Sequence, residues 1–600
     1  MAYKRIGSYG VIGDMHTAAL VAMDGSIDWC CFPHFDSPSV FAAVLDDKKG
    51  GHFQIAAPTD DRYRQMYLPE TNVLVTRFLS PKGVGEVVDF MPTCNGGARQ
   101  PKIRQIVRIA KAVRGAVPFR LECQPAFDYA RATHTTEIGS KKAVFCAGGK
   151  KLVLTSQVEL RRDGIGAASS FILQPNETAT FVLQFLDDGD AAETIDLEPF
   201  GQAKLQETIA MWKEWVSKCK YNGRWREVVV RSALALKLMT FEPTGAIVAS
   251  PTCSLPEELG GVRNWDYRYT WIRDAAFTIY ALLRLGYKEE AAKFMPWIEK
   301  RATEEDADTG PIQVMYGVDG HSDLTETTLD HLEGFMQSRP VRIGNAASKQ
   351  LQLDIYGELI DSVYLFNKHV QPISYDLWNY IRKMLYWVCD NWERPDYGIW
   401  EVRTEPKHFV YSKMQCWVAL DRGLRIAVKR GLPLDFARVR REATRIYETV
   451  MREGWSETRQ TFVQYFGGDA VDANSLLLPL MMFVSPTDPR MLSTLDRVME
   501  ELVSDSLVYR YELGKAVGDG LPGVEGTFSI CTFWLVEALA RAGRLDEARL
   551  IFEKMLTYAN HLGLYSEEIG PTGEGLGNFP QAFTHLGLIS AAYDLDRHLR

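Results

Sequence analysis

Hydrophobic positions change their spacing once along this chain. Up to about residue 200 apolar and polar residues alternate in short runs, at 72–79, 106–110, 119–123, 151–155 and 178–185. Turn signals such as Pro81-Lys-Gly83, Gly148-Gly149 and Pro175-Asn176 separate these runs. Many short alternating segments with no helix between them predict an antiparallel β-sandwich. In the opening segment, Gly7, Gly10 and Gly13 read as turns, and Asp24-Gly-Ser26 as a hairpin turn. No GxGxxG is present there and no helical pattern follows, which argues against a phosphate-binding loop.

From about Thr208 the period becomes helical. Residues 207–218 read as a linker helix. Beyond it, helical spacing predicts segments near 225–241, 273–286, 287–304, 350–368, 373–394, 408–430, 433–455, 472–484, 488–504, 526–543, 544–560 and 579–597. Short breakers such as Arg430-Gly-Leu-Pro433 join many neighbours. Twelve helices in hairpins predict six pairs closed into an (α/α)6 barrel, with an open solenoid as the alternative. The expected division is a sandwich over 1–205, a linker helix over 206–224 and the barrel over 225–600. Longer non-helical pieces recur about once per pair, at 242–272, 305–349, 395–407, 456–471, 505–525 and 561–578. In a ring of hairpins they gather at one end, where sites are built.

Composition narrows the function. Of 600 residues, 46% are hydrophobic and 24% charged, as in a globular protein. Net charge is −9 with no basic run, which argues against nucleic acid as a partner. No apolar leader and no stretch of about 18 apolar residues is seen, so a membrane is not expected. The ten cysteines are scattered, without a CxxC or a ligand-spaced Cys/His cluster. Reduced thiols in a cytoplasmic protein, with no metal and no cofactor, are the expectation. Oligomeric state is not set, and a homo-oligomer stays open.

Candidate chemistry concentrates in the loops. Residues 261–274 pack Trp265, Tyr267 and Trp271 around Asp266, Arg273 and Asp274, just before a helix. Rings that stack on C–H faces, with Arg and Asp to fork onto hydroxyls, suit a sugar pocket. The plainer alternative is a helix start with core aromatics. Further loops carry Gly398-Ile-Trp-Glu401, Ser566-Glu567-Glu568 and Arg342 to Asn345. Glycoside hydrolysis needs two carboxyls across the scissile bond, an acid and a base or nucleophile. Trp400 offers Glu401 an apolar neighbour that could raise its pKa. Either member of Glu567-Glu568 could serve opposite it.

These motifs resemble glycoside hydrolase family 15, the glucoamylase family, and most of all its bacterial and archaeal trehalase-like branch. The resemblance rests on Trp265-Asp-Tyr-Arg-Tyr-Thr-Trp-Ile-Arg-Asp274, His331-Leu-Glu-Gly334 with Arg339 to Asn345, Gly398 to Glu401, and Ser566-Glu-Glu568 with Gly577 to Phe583. The segment from Ile6 to Phe41 resembles the opening of the family's β-domain. What the resemblance implies is an inverting exo-hydrolase of small α-glucosides. Glu401 matches its acid and Glu567 its base. Tyr267 and Glu568 fall where the family positions water, and Trp271, Arg273, Asp274 and Trp400 where it holds glucose. Arg342 and Asn345 belong to a motif of this branch. Val402 follows the acid where fungal glucoamylases carry a second Glu, and Glu568 follows the base where they carry Gln. With no starch-binding module, these departures favour a disaccharide such as trehalose over starch. Malto- or isomaltooligosaccharides, and a disaccharide phosphorylase, are the alternatives.

Overall fold

The computed structural model describes residues 3–58, 62–93, 104–301, 310, 312–512 and 520–599. Parts of the expected 305–349 and 505–525 loops, and the end of the expected 287–304 helix, lie outside those residues.

The first 190 residues form two eight-stranded sheets whose pairings are antiparallel. One sheet runs from Tyr9–Gly13 through Ala18–Ala22, Ser26–Cys31, His52–Ala56, Val117–Gln124 and Gly166–Leu173 to Arg161–Asp163, with Ser39–Phe41 paired to Ser26–Cys31. The other is centred on Arg104–Arg114 and Thr178–Leu186. Val117–Gln124 shows why the alternation was visible: Val117, Phe119, Leu121 and Cys123 point inward, and the residues between them do not.

The opening glycines are not all turns. Gly10 and Gly13 lie inside the strand Tyr9–Gly13. A Cβ on Gly10 would come within 2.8 Å of both Leu562 and Leu74. Gly10 thus serves close approach between the sheet and the C-terminal loops rather than chain reversal. Gly25, at φ 78°, does make the expected hairpin turn.

The helix after the sandwich spans Leu197–Ser217, starting ten residues before the expected 207. Pro199 sits in its first turn, where a missing N–H costs nothing. Gly201 lets it lie close on the strand below, since a Cβ there would be 2.8 Å from Thr180.

Twelve helices follow among the described residues: α1 (Arg226–Leu238), α2 (Ile272–Leu285), α3 (Lys288–Arg301), α4 (Asp354–His369), α5 (Tyr375–Asn391), α6 (Val410–Arg430), α7 (Phe436–Glu453), α8 (Leu477–Leu480), α9 (Pro489–Glu501), α10 (Ser529–Arg541), α11 (Leu545–Leu556) and α12 (Ala582–His598). The even-numbered helices pack side by side, with the 3-10 turn Ala473–Leu476 between α6 and α8, and close on themselves with α12 against α2. The odd-numbered ones lie outside them, so the ring is an (α/α)6 barrel rather than an open solenoid.

Local chemistry sets the ends. Ser374, Asp435 and Asp488 cap α5, α7 and α9 through their side chains. Gly286 and Gly431 close α2 and α6 in left-handed geometry. The expected 472–484 helix is mostly a 3-10 turn, Ala473–Leu476, running into the single turn of α8. Pro479 removes a backbone donor and Met482 turns left-handed at φ 61°, so the apolar run cannot extend.

One continuous set of buried side chains joins sandwich and barrel. Trp29 donates its N–H to the Pro251 carbonyl at 2.7 Å. Arg268, fully buried, donates to Asp266 at 2.6 Å and to the Ser37 carbonyl at 2.8 Å. The sandwich therefore braces the loop that carries residues 261–274.

Candidate active site

Loops entering α2, α4, α6, α10 and α12 meet at one end of the ring. They enclose a pocket of about 60 Å³ lined by Tyr267, Trp271, Arg273, Asp274, Asn345, Trp400 and Glu401, among others. Its lining is buried except for half-buried Trp265, Tyr267, Glu401, Arg403 and Leu521, which face its mouth. Trp400, Trp534 and Phe583 make an aromatic floor, with ring centroids 6.0 and 5.7 Å apart. Beneath Trp534, at the other end of the barrel axis, lies a separate cavity of about 130 Å³.

Trp271 precedes α2, and Arg273 and Asp274 occupy the helix's first turn. Arg273 Nε donates to Asp274 at 2.8 Å and Nη1 to the Ile399 carbonyl at 3.0 Å. Burial raises the Asp274 carboxyl, and the neighbouring Arg273 opposes that. This leaves a fixed charged fork on the pocket wall, suited to adjacent hydroxyls.

Glu401 sits at φ 56°, a left-handed conformation costing a non-glycine residue about 1–3 kcal/mol. Buried Asp396 holds the loop by accepting the Leu353 and Gly398 N–H groups at 3.0 and 3.3 Å. Glu401 Oε1 accepts the Trp271 indole N–H at 2.6 Å and stands 3.5 Å from Arg273. Trp400, the apolar neighbour expected beside Glu401, donates its N–H to both oxygens of Asp472 at 3.0 Å. Burial pushes Asp472 up to about 6.

Glu567 is fully buried behind Tyr267, whose hydroxyl donates to Oε1 at 2.6 Å. Burial first, then the charge of Glu257, pushes Glu567 well above the usual carboxylate range, and the Tyr267 hydrogen bond works against this. The Tyr267 and Trp271 rings meet edge to face, centroids 5.4 Å apart. Two hydrogen bonds and one ring contact thus connect Glu401 to Glu567.

The remaining expected residues are placed differently. Glu568 opens the strand Glu568–Ile569, and Glu567 precedes it. Glu568 accepts the Gly526 N–H at 2.8 Å, and like Glu567, which reaches the pocket through Tyr267, it is not itself part of the pocket wall. Asn345 lines the pocket but spends its side chain on backbone, accepting Ala347 N–H at 3.0 Å. Arg342 lies behind the wall. Its guanidinium stacks 4.7 Å from the Trp265 ring centre, and Arg403 lies 4.6 Å from the same ring. Glu326 ties the two arginines, at 3.3 and 3.1 Å.

Sequence reasoning missed Glu257, Arg263, Arg403, Arg510 and Phe528, which also line the pocket, as does Gln581 from the Gly577 to Phe583 motif. Phe583 was within a quoted motif, but its ring contact with Trp534 was not foreseen. Arg510 bonds Glu525, with Nε to Oε1 at 3.1 Å, and stands 3.7 Å from Glu257. Glu257, Glu525 and Glu568 hold carboxyl oxygens within 4.8 Å of one another. A divalent cation could bridge such a set, but Arg510 already supplies positive charge there.

Comparison with known proteins gives the family and the fold. The model of glycosyl hydrolases family 15 matches residues 223–593, and that of the trehalase-like N-terminal domain matches residues 2–204. A trehalase of Thermoplasma volcanium is 38% identical, covering 100% of this chain and 94% of its own. A trehalase of Mycobacterium tuberculosis is 37% identical, covering 99% and 90%. In fold, the chain is similar to a bacterial glucoamylase crystallised with acarbose. That likeness has a TM-score of 0.74 at 15% identity, over 99% of this chain and 95% of the other.

Proposed function

The chain belongs to glycosyl hydrolases family 15, and from that premise we propose that it is an inverting, exo-acting α-glucoside hydrolase whose substrate is trehalose. One observation carries the reading: the Trp271–Tyr267 ring pair holds Glu401 on one side and Glu567 on the other. Glu401 donates its proton to the leaving oxygen. Glu567 takes a proton from a water that attacks the opposite face of the sugar. Arg273 and Asp274 hold the hydroxyls of the glucose being released, and Tyr267 orients the base. Inversion calls for roughly 6.5–9.5 Å between the two carboxyls, leaving room for the water.

Trehalose is supported by the trehalases that match over nearly the whole chain. Val402, after the acid, is 1% exposed and offers nothing to a longer aglycone. Trp265, held between Arg342 and Arg403, narrows the mouth. We place the action in the cytoplasm. The described cysteines are free thiols, nearly all buried, which suits a reducing compartment. No helix among the described residues is long and apolar enough to cross a membrane.

The test is glucose release from trehalose, maltose, isomaltose and soluble starch, followed by NMR of the first product. Trehalose should be cleaved fastest, with β-glucose appearing first. Faster cleavage of starch would refute the substrate, early α-glucose the mechanism. Glucose 1-phosphate formed in phosphate buffer would mean a phosphorylase instead.

A further inference from the structure

Beside Glu567 lies an acidic group that the reaction as described does not use. Glu257, Glu525 and Glu568 come from three different loops and are all buried. The positive groups facing them are Arg510 and Arg263. Arg510 is bonded to Glu525 and lies 3.7 Å from Glu257, and Arg263 lies 3.7 Å from Glu525. Tyr267, on the Glu567 side, and Tyr511, beside Arg510, are the nearest phenols. With Glu567 included, four carboxyls face two guanidiniums. Four ionised carboxyls would leave two uncompensated negative charges in the protein interior, which is prohibitive without protons.

The hydrogen bonds indicate where a proton belongs. Glu525 is occupied by Arg510. Glu567 is occupied by the Tyr267 hydroxyl and the Asn578 N–H. Glu257 Oε2 and Glu568 Oε1, by contrast, are buried and have no hydrogen-bond partner. Both belong to the set within 4.8 Å of one another. One proton between these two residues supplies a donor and cuts the negative surplus to a single charge, which an ionised Glu567 provides.

We propose that Glu257 and Glu568 form a carboxyl pair sharing one proton, and that this pair sets the charge and orientation of Glu567. The proposal rests on Glu567 being the base. Both members are positioning residues that act through Glu567. Burial and acidic neighbours raise Glu257, Glu568 and Glu567 alike, so it is the unpartnered oxygens of Glu257 and Glu568, against the occupied ones of Glu567, that put the proton on the pair.

The experiment compares Glu257→Gln, Glu568→Gln and the double variant, measuring kcat/KM on trehalose across pH. A single amide donates the hydrogen bond that the shared proton would, and the pair keeps one negative charge. Each single variant should lose less than about tenfold and keep its acidic limb within about half a pH unit, since the charge facing Glu567 is preserved. The double variant removes that charge, and its acidic limb should fall by about one pH unit or more. An unmoved limb in the double variant overturns the proposal. So does a loss above about a hundredfold in either single variant, which would show that an ionised carboxylate is needed there. Glu567→Gln serves as the separate control. If it keeps both activity and the acidic limb, the assignment of the base fails, whatever the pair does.

Discussion

Replacing Tyr267 with phenylalanine removes one oxygen and leaves the ring. The edge contact with Trp271, at 5.4 Å between centroids, survives. What is lost is the 2.6 Å hydrogen bond to Glu567 Oε1. A hydrogen bond to a charged group contributes about 1.5–3 kcal/mol. At about 1.4 kcal/mol per decade, kcat/KM at neutral pH should drop roughly 10–150-fold. The pH profile gives the sharper readout. Glu567 is already raised by burial and by Glu257, and the Tyr267 hydroxyl favours its charged form. Removing that donor raises the base further, so the activity it supports is lost at a higher pH on the acidic side. At 1.36 kcal/mol per unit the acidic limb should move up by about one to two pH units. Initial rates on trehalose from pH 4 to 9, with circular dichroism to confirm folding, are sufficient. An unmoved limb, or one that moves down, would show that Tyr267 does not support the base.

Arg273→Ala should cost kcat/KM about 2–5 kcal/mol, because it strips a buried charged partner from Asp274 and from the substrate; unchanged kinetics would contradict the fork. Asp354 is fully buried, both its carboxyl oxygens lack a partner, and burial pushes it up to about 7. The folded state therefore keeps a proton that the unfolded chain releases near pH 4. Stability from this group is lost between pH 4 and 7 at up to about 1.4 kcal/mol per unit. Asp354→Asn should accordingly have a Tm advantage that is larger at pH 7.5 than at pH 5, and an equal or shrinking advantage refutes the assignment. Gly10→Val should destabilise by about 1–3 kcal/mol through overpacking against Leu562 and Leu74, measured by denaturant unfolding.

The outer helices were legible because each shows a clear apolar stripe. On α9, for example, Met491, Leu495 and Val498 are buried on one face, and Asp496 and Glu500 are exposed on the other. The inner helix α8 was less so. Leu476-Leu-Leu-Pro-Leu480 reads as helix on hydrophobicity, but what breaks it is a proline and a left-handed Met482. Tyr267, Trp271, Arg273 and Asp274 could be nominated together since they lie within eight residues. The Glu257, Arg510, Glu525 and Glu568 group could not. Its members are spread over three loops and carry no spacing signal, and only the closed ring brings them into contact. The difference between Glu567 and Glu568 was hidden for another reason. The two are adjacent in the chain, and the strand that begins at Glu568 is two residues long, too short to leave an alternating pattern.

The aromatic floor of Trp400, Trp534 and Phe583 has a kinetic consequence. Trp400 and Phe583 line the pocket and Trp534 the axial cavity, so the three rings stand between the two, and a sugar that enters past Trp265 leaves the same way. Cleavage of a disaccharide there produces two sugars in single file. The outer one must depart before the inner one can, and the inner one blocks the next substrate until it goes. For trehalose both are glucose. Free glucose can then refill the deep position alone or both positions in turn, and its inhibition should curve upward with concentration instead of rising linearly. A geometry that rules out a back exit thereby turns one product into two successive inhibitors.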